Sequence, residues 1–306
     1  MGSKEVSVMK FSVQVDDLKL LNEALATECD KVRFGAEFCE WKVPSLKTLK
    51  TAYDLTVDAG KQFDYITPRC SDKTIKRILD HLSFLNDKGE IKVIINDIGF
   101  LNVLKRYERL IPHLGRQLIH IPARCPWFYR DSRSFIFFGF MIKAAIMRRH
   151  VKDLYNQTSL HYEPTIRFYK EYGFRGLDLD WIPRCFPHYK FFVDQGLDVA
   201  VHTHLVPVTV TRKCHTARFL GEKNPQNCSK PCNTRAFLLK HEGVFMTVKL
   251  FLHGNAVFTL TQPTKKDVKN LLRAGATELV ISMNPVTNTL SRERVNEVIS
   301  SIKQMF

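Results

Sequence analysis

Apolar positions in this chain follow a repeated grammar: an amphipathic helical stretch, a glycine, then a short β-rich run. YKEYGFRGLDLDWIP turns at Gly173, YKFFVDQGLDVAVHTH at Gly196, VKNLLRAGATELVIS at Gly275 and LKTAYDLTVDAGKQFDYITP at Gly60. Glycine takes the left-handed conformation that commonly ends a helix. The runs IKVIIND, QLIHIP, LDLDWI, LDVAVH and ELVIS are near-continuously apolar, as strands covered on both faces are. Helices alternating with such strands predict a parallel sheet.

Eight segments are read as strands: KVRFGAEF, QFDYITP, IKVIINDIG, QLIHIPARC, GLDLDWIP, LDVAVHTHL, a region around VFMTVKLFL, and ELVISMNP. Eight such units predict an α/β fold, a (β/α)8 TIM-like barrel with some distortion; an open doubly wound sheet is the alternative. Neither GxGxxG after a strand nor GxxxxGK[ST] occurs, which argues against the nucleotide-binding versions. A closing helix over about 292–305 places Val295, Val298, Ile299 and Ile302 on one face. Residues 1–8 are expected to be a disordered extension. With no low-complexity linker, residues 9–306 are read as one barrel domain.

Composition changes this picture little. A chain of 306 residues builds a full core without help from metals or disulfides, and 44% apolar residues suit a globular protein. Lys and Arg number 46 against 31 Asp and Glu, a net charge of +15 that favours nucleic acid, anionic membrane or acidic partners. No secretory signal opens the sequence and no run is long enough to span a membrane, so a cytoplasmic protein is expected. In a reducing compartment clustered cysteines point to metal or redox chemistry more than to disulfides.

Barrel active sites lie at the C-terminal ends of the strands. The expected ends carry Glu37 and Cys39, Cys70, Asn96 and Asp97, Arg124 and Cys125, Arg184 and Cys185, and His202 and His204. Asp97, Arg124, Arg184, His202 and His204 are the polar candidates for a substrate pocket. Cys70, Cys125 and Cys185 each follow an arginine, which favours the thiolate, though a buried small hydrophobe is the commoner role for a cysteine.

Three of the eight cysteines, Cys214, Cys228 and Cys232, fall in the loop 213–232 with the spacing C-x13-C-x3-C. A structural zinc site usually shows C-x2-C knuckles, and none is present. An iron–sulfur cube has corners set farther apart and accepts irregular loops, but a 4Fe–4S cluster wants four thiolates. Cys39 supplies the fourth if the barrel closes, with His215 as a substitute. Zinc, or no metal, remains open on spacing alone.

An insertion is expected between the fourth and fifth strands, from about Tyr129 to Tyr162. RDSRSFIFFGFMIKAAIMRRHVK sets Phe135, Phe137, Phe138 and Phe140 between arginines. A buried or partner-facing helix is the plain reading. An apolar surface with a basic rim over 135–150 could instead contact an anionic membrane, admit a lipid-like substrate or act as a lid.

Several segments together resemble the U32 (collagenase-like) peptidase family, nearest its UbiU–UbiV branch of oxygen-independent ubiquinone hydroxylation proteins. These are MKFSV from Met9, FGAEFC ending at Cys39, NDIGFLNVL from Asn96, THLVPVTVTRKCHTAR and NCSKPC. They occur in the family's order and span most of residues 9–290. The chain reads Gly35-Ala36-Glu37 where the family reads Gly-Glu-Ala, and the step from Cys214 to Cys228 is shorter than in UbiV. The resemblance implies a barrel, a 4Fe–4S cluster on Cys39, Cys214, Cys228 and Cys232, and a hydroxylase of an aromatic or quinone-like molecule. Prephenate is the implied hydroxyl donor; Arg124 and Arg184 would suit its carboxylates, and Asp97 and His204 fall in matching segments. A paralogous partner in a heterodimer, or an RNA substrate, are the implied alternatives. No GxSxG or HExxH supports peptidase chemistry.

Overall fold

A computed structural model describes residues 9–126, 153–243 and 246–306. The apolar stretch 135–150, and the insertion up to residue 152, lie outside the described residues.

Eight parallel strands close a barrel: β1 (Lys10–Val15), β2 (Lys31–Phe34), β3 (Gln62–Ile66), β4 (Ile91–Ile95), β5 (Leu110–Leu114), β6 (Gly176–Asp180), β7 (Asp198–His202) and β12 (Glu278–Ser282). The first strand closes the ring by pairing with both β2 (Ser12 opposite Lys31) and β12 (Lys10 opposite Glu278). Between β7 and β12 the chain leaves the barrel to form a four-stranded antiparallel sheet. It consists of β8 (Leu205–Val210), β9 (Phe237–Gly243), β10 (Met246–His253) and β11 (Ala256–Leu260), in the order β8-β11-β10-β9. The (β/α)8 expectation therefore holds, with the second sheet as its distortion.

Two of the eight expected strands are misplaced. QLIHIPARC forms two short 3-10 turns, and the barrel strand is LIPHL, a few residues earlier. Pro112 hides it, because a proline inside a central strand removes a ladder donor. Here it sits opposite Val93, and its carbonyl accepts from the Arg175 N–H at 3.0 Å. The region around VFMTVKLFL belongs to the second sheet, and KFSVQV supplies the eighth barrel strand instead.

The strands alternate, and the alternation sorts them into two cores. Phe11, Val13, Val32, Phe34, Leu177, Leu179, Val199, Val201, Leu279 and Ile281 join one apolar cluster with helix residues such as Leu21, Leu49, Ile78, Leu82 and Ile299. Successive strand side chains point to opposite faces. The intervening residues Ser12, Lys31, Arg33, Asp178, Asp180, His202 and Glu278 are also buried, but in the barrel lumen. A lumen filled by ions departs from the branched apolar layers usual in such barrels. Among the described residues no helix is long and apolar enough to cross a membrane.

Helix ends follow local sequence. Asp17, Ser45 and Thr264 accept backbone N–H groups at the starts of helices Leu18–Leu25, Leu46–Asp58 and Lys265–Arg273. Such caps fix where each helix begins and so where the preceding loop opens on the mouth.

Candidate functional site

The lumen is a stack of charges. Near the N-terminal ends of the strands, Glu278 accepts from Lys31 and Lys92 at 3.0 Å each, from Ser12, and from the Arg33 Nε at 2.8 Å. Arg33 also binds Asp178, whose other strong partner is the His202 Nε2 at 2.7 Å. Burial would push Glu278 and Asp178 upward, but the surrounding cations overcome it and hold both below the usual carboxylate range. Burial drives His113 and His202 downward.

Above this stack lies the mouth layer. Arg116, directly after β5, grips Glu37 with two parallel bonds of 3.0 and 2.7 Å and reaches Asp180 at 3.1 Å and the Leu205 carbonyl at 2.8 Å. Gln14 adds a bond to Glu37 at 3.0 Å. Burial opposes ionisation of Glu37, yet Arg116 beside it holds the carboxyl low. Gly35 brings this loop in: its φ is +136°, and a side chain there would strike the Ile66 carbonyl.

The residues expected to be catalytic are scattered around this layer. Arg124 binds Asp180 through Nε at 2.7 Å and the Ile119 and Arg116 carbonyls through its other nitrogens. Arg184 binds the Ala123 carbonyl and lies over the Tyr155 ring at 5.3 Å. Asp97 caps a 3-10 turn through the Gly99 N–H at 2.9 Å and accepts from the Cys70 N–H at 3.1 Å. His204 holds a left-handed backbone, φ +67°, where the chain passes from the barrel to the second sheet. None of these four lines the mouth cavity. That cavity, about 40 Å³, is bordered by Gln14, Glu37 and Arg116 on the barrel side and by Lys42, Cys39 and Cys232 on the other.

Cys39 and Cys232 border that cavity; Cys214 lies near enough to raise both, and Cys228 near enough to raise Cys214. The hub is Gly254, in the turn between β10 and β11. Its carbonyl accepts from the Cys214 thiol at 3.1 Å and from the Thr216 N–H at 3.2 Å, and its N–H faces Cys232. The neighbouring Asn255 N–H binds the Phe38 carbonyl at 2.9 Å. At Gly254 φ is +58° and a side chain would run into that same carbonyl, so glycine lets the turn press against Phe38–Cys39.

Electrostatics reports the same grouping. Burial pushes Cys39 up to about 12, with Cys232 and Cys214 adding to the shift and Lys42 opposing it. Burial raises Cys214, with Cys228 adding to the shift, and raises Cys232, which feels Lys42 and Cys214. Two of the thiols accept a backbone N–H, Cys214 from Ala217 at 3.3 Å and Cys228 from Lys230 at 3.4 Å. The Trp41 N–H lowers Cys39 and the Gly254 N–H lowers Cys232, each against the larger effect of burial. Such donors favour thiolates and are one means by which proteins tune iron–sulfur clusters. Thiols with backbone N–H groups near them are the kind of donor chemistry a thiolate-held cluster uses. Among the described residues no three His, Cys, Asp or Glu side chains form a group able to hold one metal ion. His215 follows Cys214 on the helix His215–Phe219, and its Nε2 has no hydrogen-bond partner.

Cys70, Cys125 and Cys185 stay apart from this quartet. Burial, with Asp97 nearby, pushes Cys70 up to about 12, and burial does the same to Cys185. As at Cys39, the shift favours the protonated thiol, despite the preceding arginines.

Sequence reasoning missed Arg116, Asp180, Arg33, Asp178 and Lys42. The signal for Asp178 and Asp180 was present in the alternation of LDLD, and for Arg33 in KVRF. Arg116 was hidden by the misplaced fifth strand.

No protein-family profile matches the chain, and no curated protein resembles it significantly. Solved structures do. Dihydropteroate synthase from Thermus thermophilus, in complex with 4-aminobenzoate, is 12% identical over 98% of this chain and 95% of that one, with a TM-score of 0.43. Thiamine phosphate pyrophosphorylase from Pyrococcus furiosus is 10% identical over 98% of each chain, TM-score 0.45. A U32 peptidase is 10% identical over 92% of this chain and 95% of its own, TM-score 0.45. At these scores the likenesses carry no argument about activity; the barrel rests on its own strand pairing.

Proposed function

We propose that this chain is an iron–sulfur redox protein of the oxygen-independent hydroxylation type, with a 4Fe–4S cluster held by Cys39, Cys214, Cys228 and Cys232. The observation that supports the reading is the placement of Cys39 and Cys232 on one cavity, with Cys214 close enough to raise both and Cys228 close enough to raise Cys214. When bound, such a cluster supplies one-electron transfer.

The chain's own residues do the rest. Gly254 packs the β10–β11 turn against Phe38 and accepts from the Cys214 thiol at 3.1 Å, and so would help bring Cys39 and Cys214 to one centre. The Glu37–Arg116–Asp180 network forms a rigid, charge-matched floor beneath the cavity. The substrate class is an aromatic or quinone-like small molecule, with prephenate as the hydroxyl donor.

A second reading has the chain as the cluster-bearing subunit of a heterodimer with a paralogous partner. The mouth favours it in two ways. A cavity of about 40 Å³ suits a few waters rather than an aromatic ring. The guanidiniums of Arg116 and Arg124 are bound to Glu37 and Asp180 and so are not offered to a dicarboxylate.

Anaerobic expression with and without a co-expressed paralogue, followed by mass spectrometry of hydroxylated quinone precursors, separates the two. Hydroxylation by the chain alone, lost in Cys214→Ala, supports the enzyme; hydroxylation only with the paralogue supports the subunit. No hydroxylation in either case, from protein loaded with iron and sulfide, overturns the hydroxylation reading.

A further inference from the structure

Lys42 is a lysine taken out of water beside the cysteines. It ends the short helical turn Glu40–Lys42 that follows Cys39, and its side chain is 5% exposed. Its ammonium donates to the Asp16 carboxylate, which stands just beyond β1. Lys42, Asp16, Cys39 and Cys232 border the same cavity. The field of Lys42 reaches Cys39, Cys232 and His253. His253 is driven down to about 3 by burial and by Lys42, so it is neutral and adds no charge.

A buried ion pair of this kind is a poor source of stability, because desolvation offsets its attraction. Its position gives it another use. A cube held by four thiolates is negative, and each electron it accepts makes it more so. A fixed cation at its edge stabilises the reduced form, and a carboxylate partner weakens that help.

We infer that the Lys42–Asp16 pair sets the reduction potential of the four-cysteine centre, Lys42 raising it and Asp16 lowering it. This rests on the four-cysteine reading above. Lys42 is a positioning residue for charge and touches no reacting atom. The step concerned is the uptake of one electron from a reductant such as dithionite, in which no bond to the protein forms or breaks.

The test is a redox titration of the anaerobically reconstituted full chain with dithionite and mediators, followed by electron paramagnetic resonance. Lys42→Met is expected to make reduction about tenfold less favourable, a fall of ~59 mV for one electron. Asp16→Asn is expected to shift it the opposite way, by about threefold to tenfold. Lys42→Arg is expected to stay near the wild type. Opposite signs are not what general structural damage produces, and Asp16→Asn carries the test if Lys42→Met fails to fold. Fully loaded variants whose potentials stay put, or move in the same direction, overturn this inference alone. Wild-type protein without iron and sulfide after reconstitution overturns the four-cysteine reading and this inference with it.

Discussion

The barrel lumen and the cysteine site are both buried and polar, but they are built on opposite terms. In the lumen, Lys31, Arg33, Lys92 and Arg116 each bind a carboxylate, and Glu278, Asp178, Glu37 and Asp180 supply those partners. Each of these cations has a carboxylate partner within the lumen. At the cysteine site Cys39 and Cys232 share a cavity with the Lys42 ammonium, already paired with Asp16, and Cys214 and Cys228 accept backbone N–H groups. A paired charge network is a structural element, whereas the thiols are, on the reading proposed, a place for something bound.

The sharpest way to break that contrast is to remove a lumen cation. Arg33→Met leaves Glu278 and Asp178 without their main partner, and a loss of about 3–5 kcal/mol in denaturant unfolding is expected. A loss below about 1 kcal/mol would mean that the stack is dispensable.

Gly254→Ala attacks the other region. Positive φ and the Phe38 carbonyl both oppose a side chain, and about 1–3 kcal/mol of strain is expected, falling on the cysteine site rather than the lumen. Bound iron should drop well below the wild-type level while the circular-dichroism spectrum of the barrel is kept. Full iron loading would contradict the hub role of Gly254.

A smaller effect comes from His81, which is fully buried, bonded to the Tyr65 hydroxyl at 2.7 Å, and lowered to about 4 by burial and by Arg77. Its folded pKa lies below its unfolded value, so between roughly pH 6.5 and 4 the unfolded chain binds the extra proton. Stability from this group is complete above that window and falls as pH drops through it, by up to about 1.4 kcal/mol per pH unit. In His81→Gln the slope of stability against pH should lose about one proton's worth in that range. An unchanged slope would assign the acid sensitivity elsewhere. The smallest effect is expected at the exposed Lys190–Asp194 pair, where Lys190→Ala should change stability by less than about 0.5 kcal/mol.

Much of this was legible in the sequence, and what was not has physical causes. Glycine-ended helices before β3, β6, β7 and β12 announced the barrel, because that punctuation is local. The fifth strand was misread because Pro112 breaks the propensity of LIPHL, while the closure of the ring overrides propensity. The region around VFMTVKLFL was counted into the barrel because a strand's sheet is fixed by partners far away in sequence. Cys39 was assigned to the cysteine loop on spacing and closure together, and it borders one cavity with Cys232. The Glu37–Arg116 clamp could not, since it joins residues from two loops whose meeting depends on register. Lys42 gave no signal either, for a lysine three residues after a cysteine reads as surface until Asp16 is seen beside it.

The most direct test of the central claim is the iron and acid-labile sulfide content of anaerobically purified protein, compared with Cys39→Ala and Cys214→Ala. The account predicts about four irons and four sulfides per chain, falling sharply in both variants. One zinc per chain, or a metal content untouched by Cys39→Ala, would contradict it.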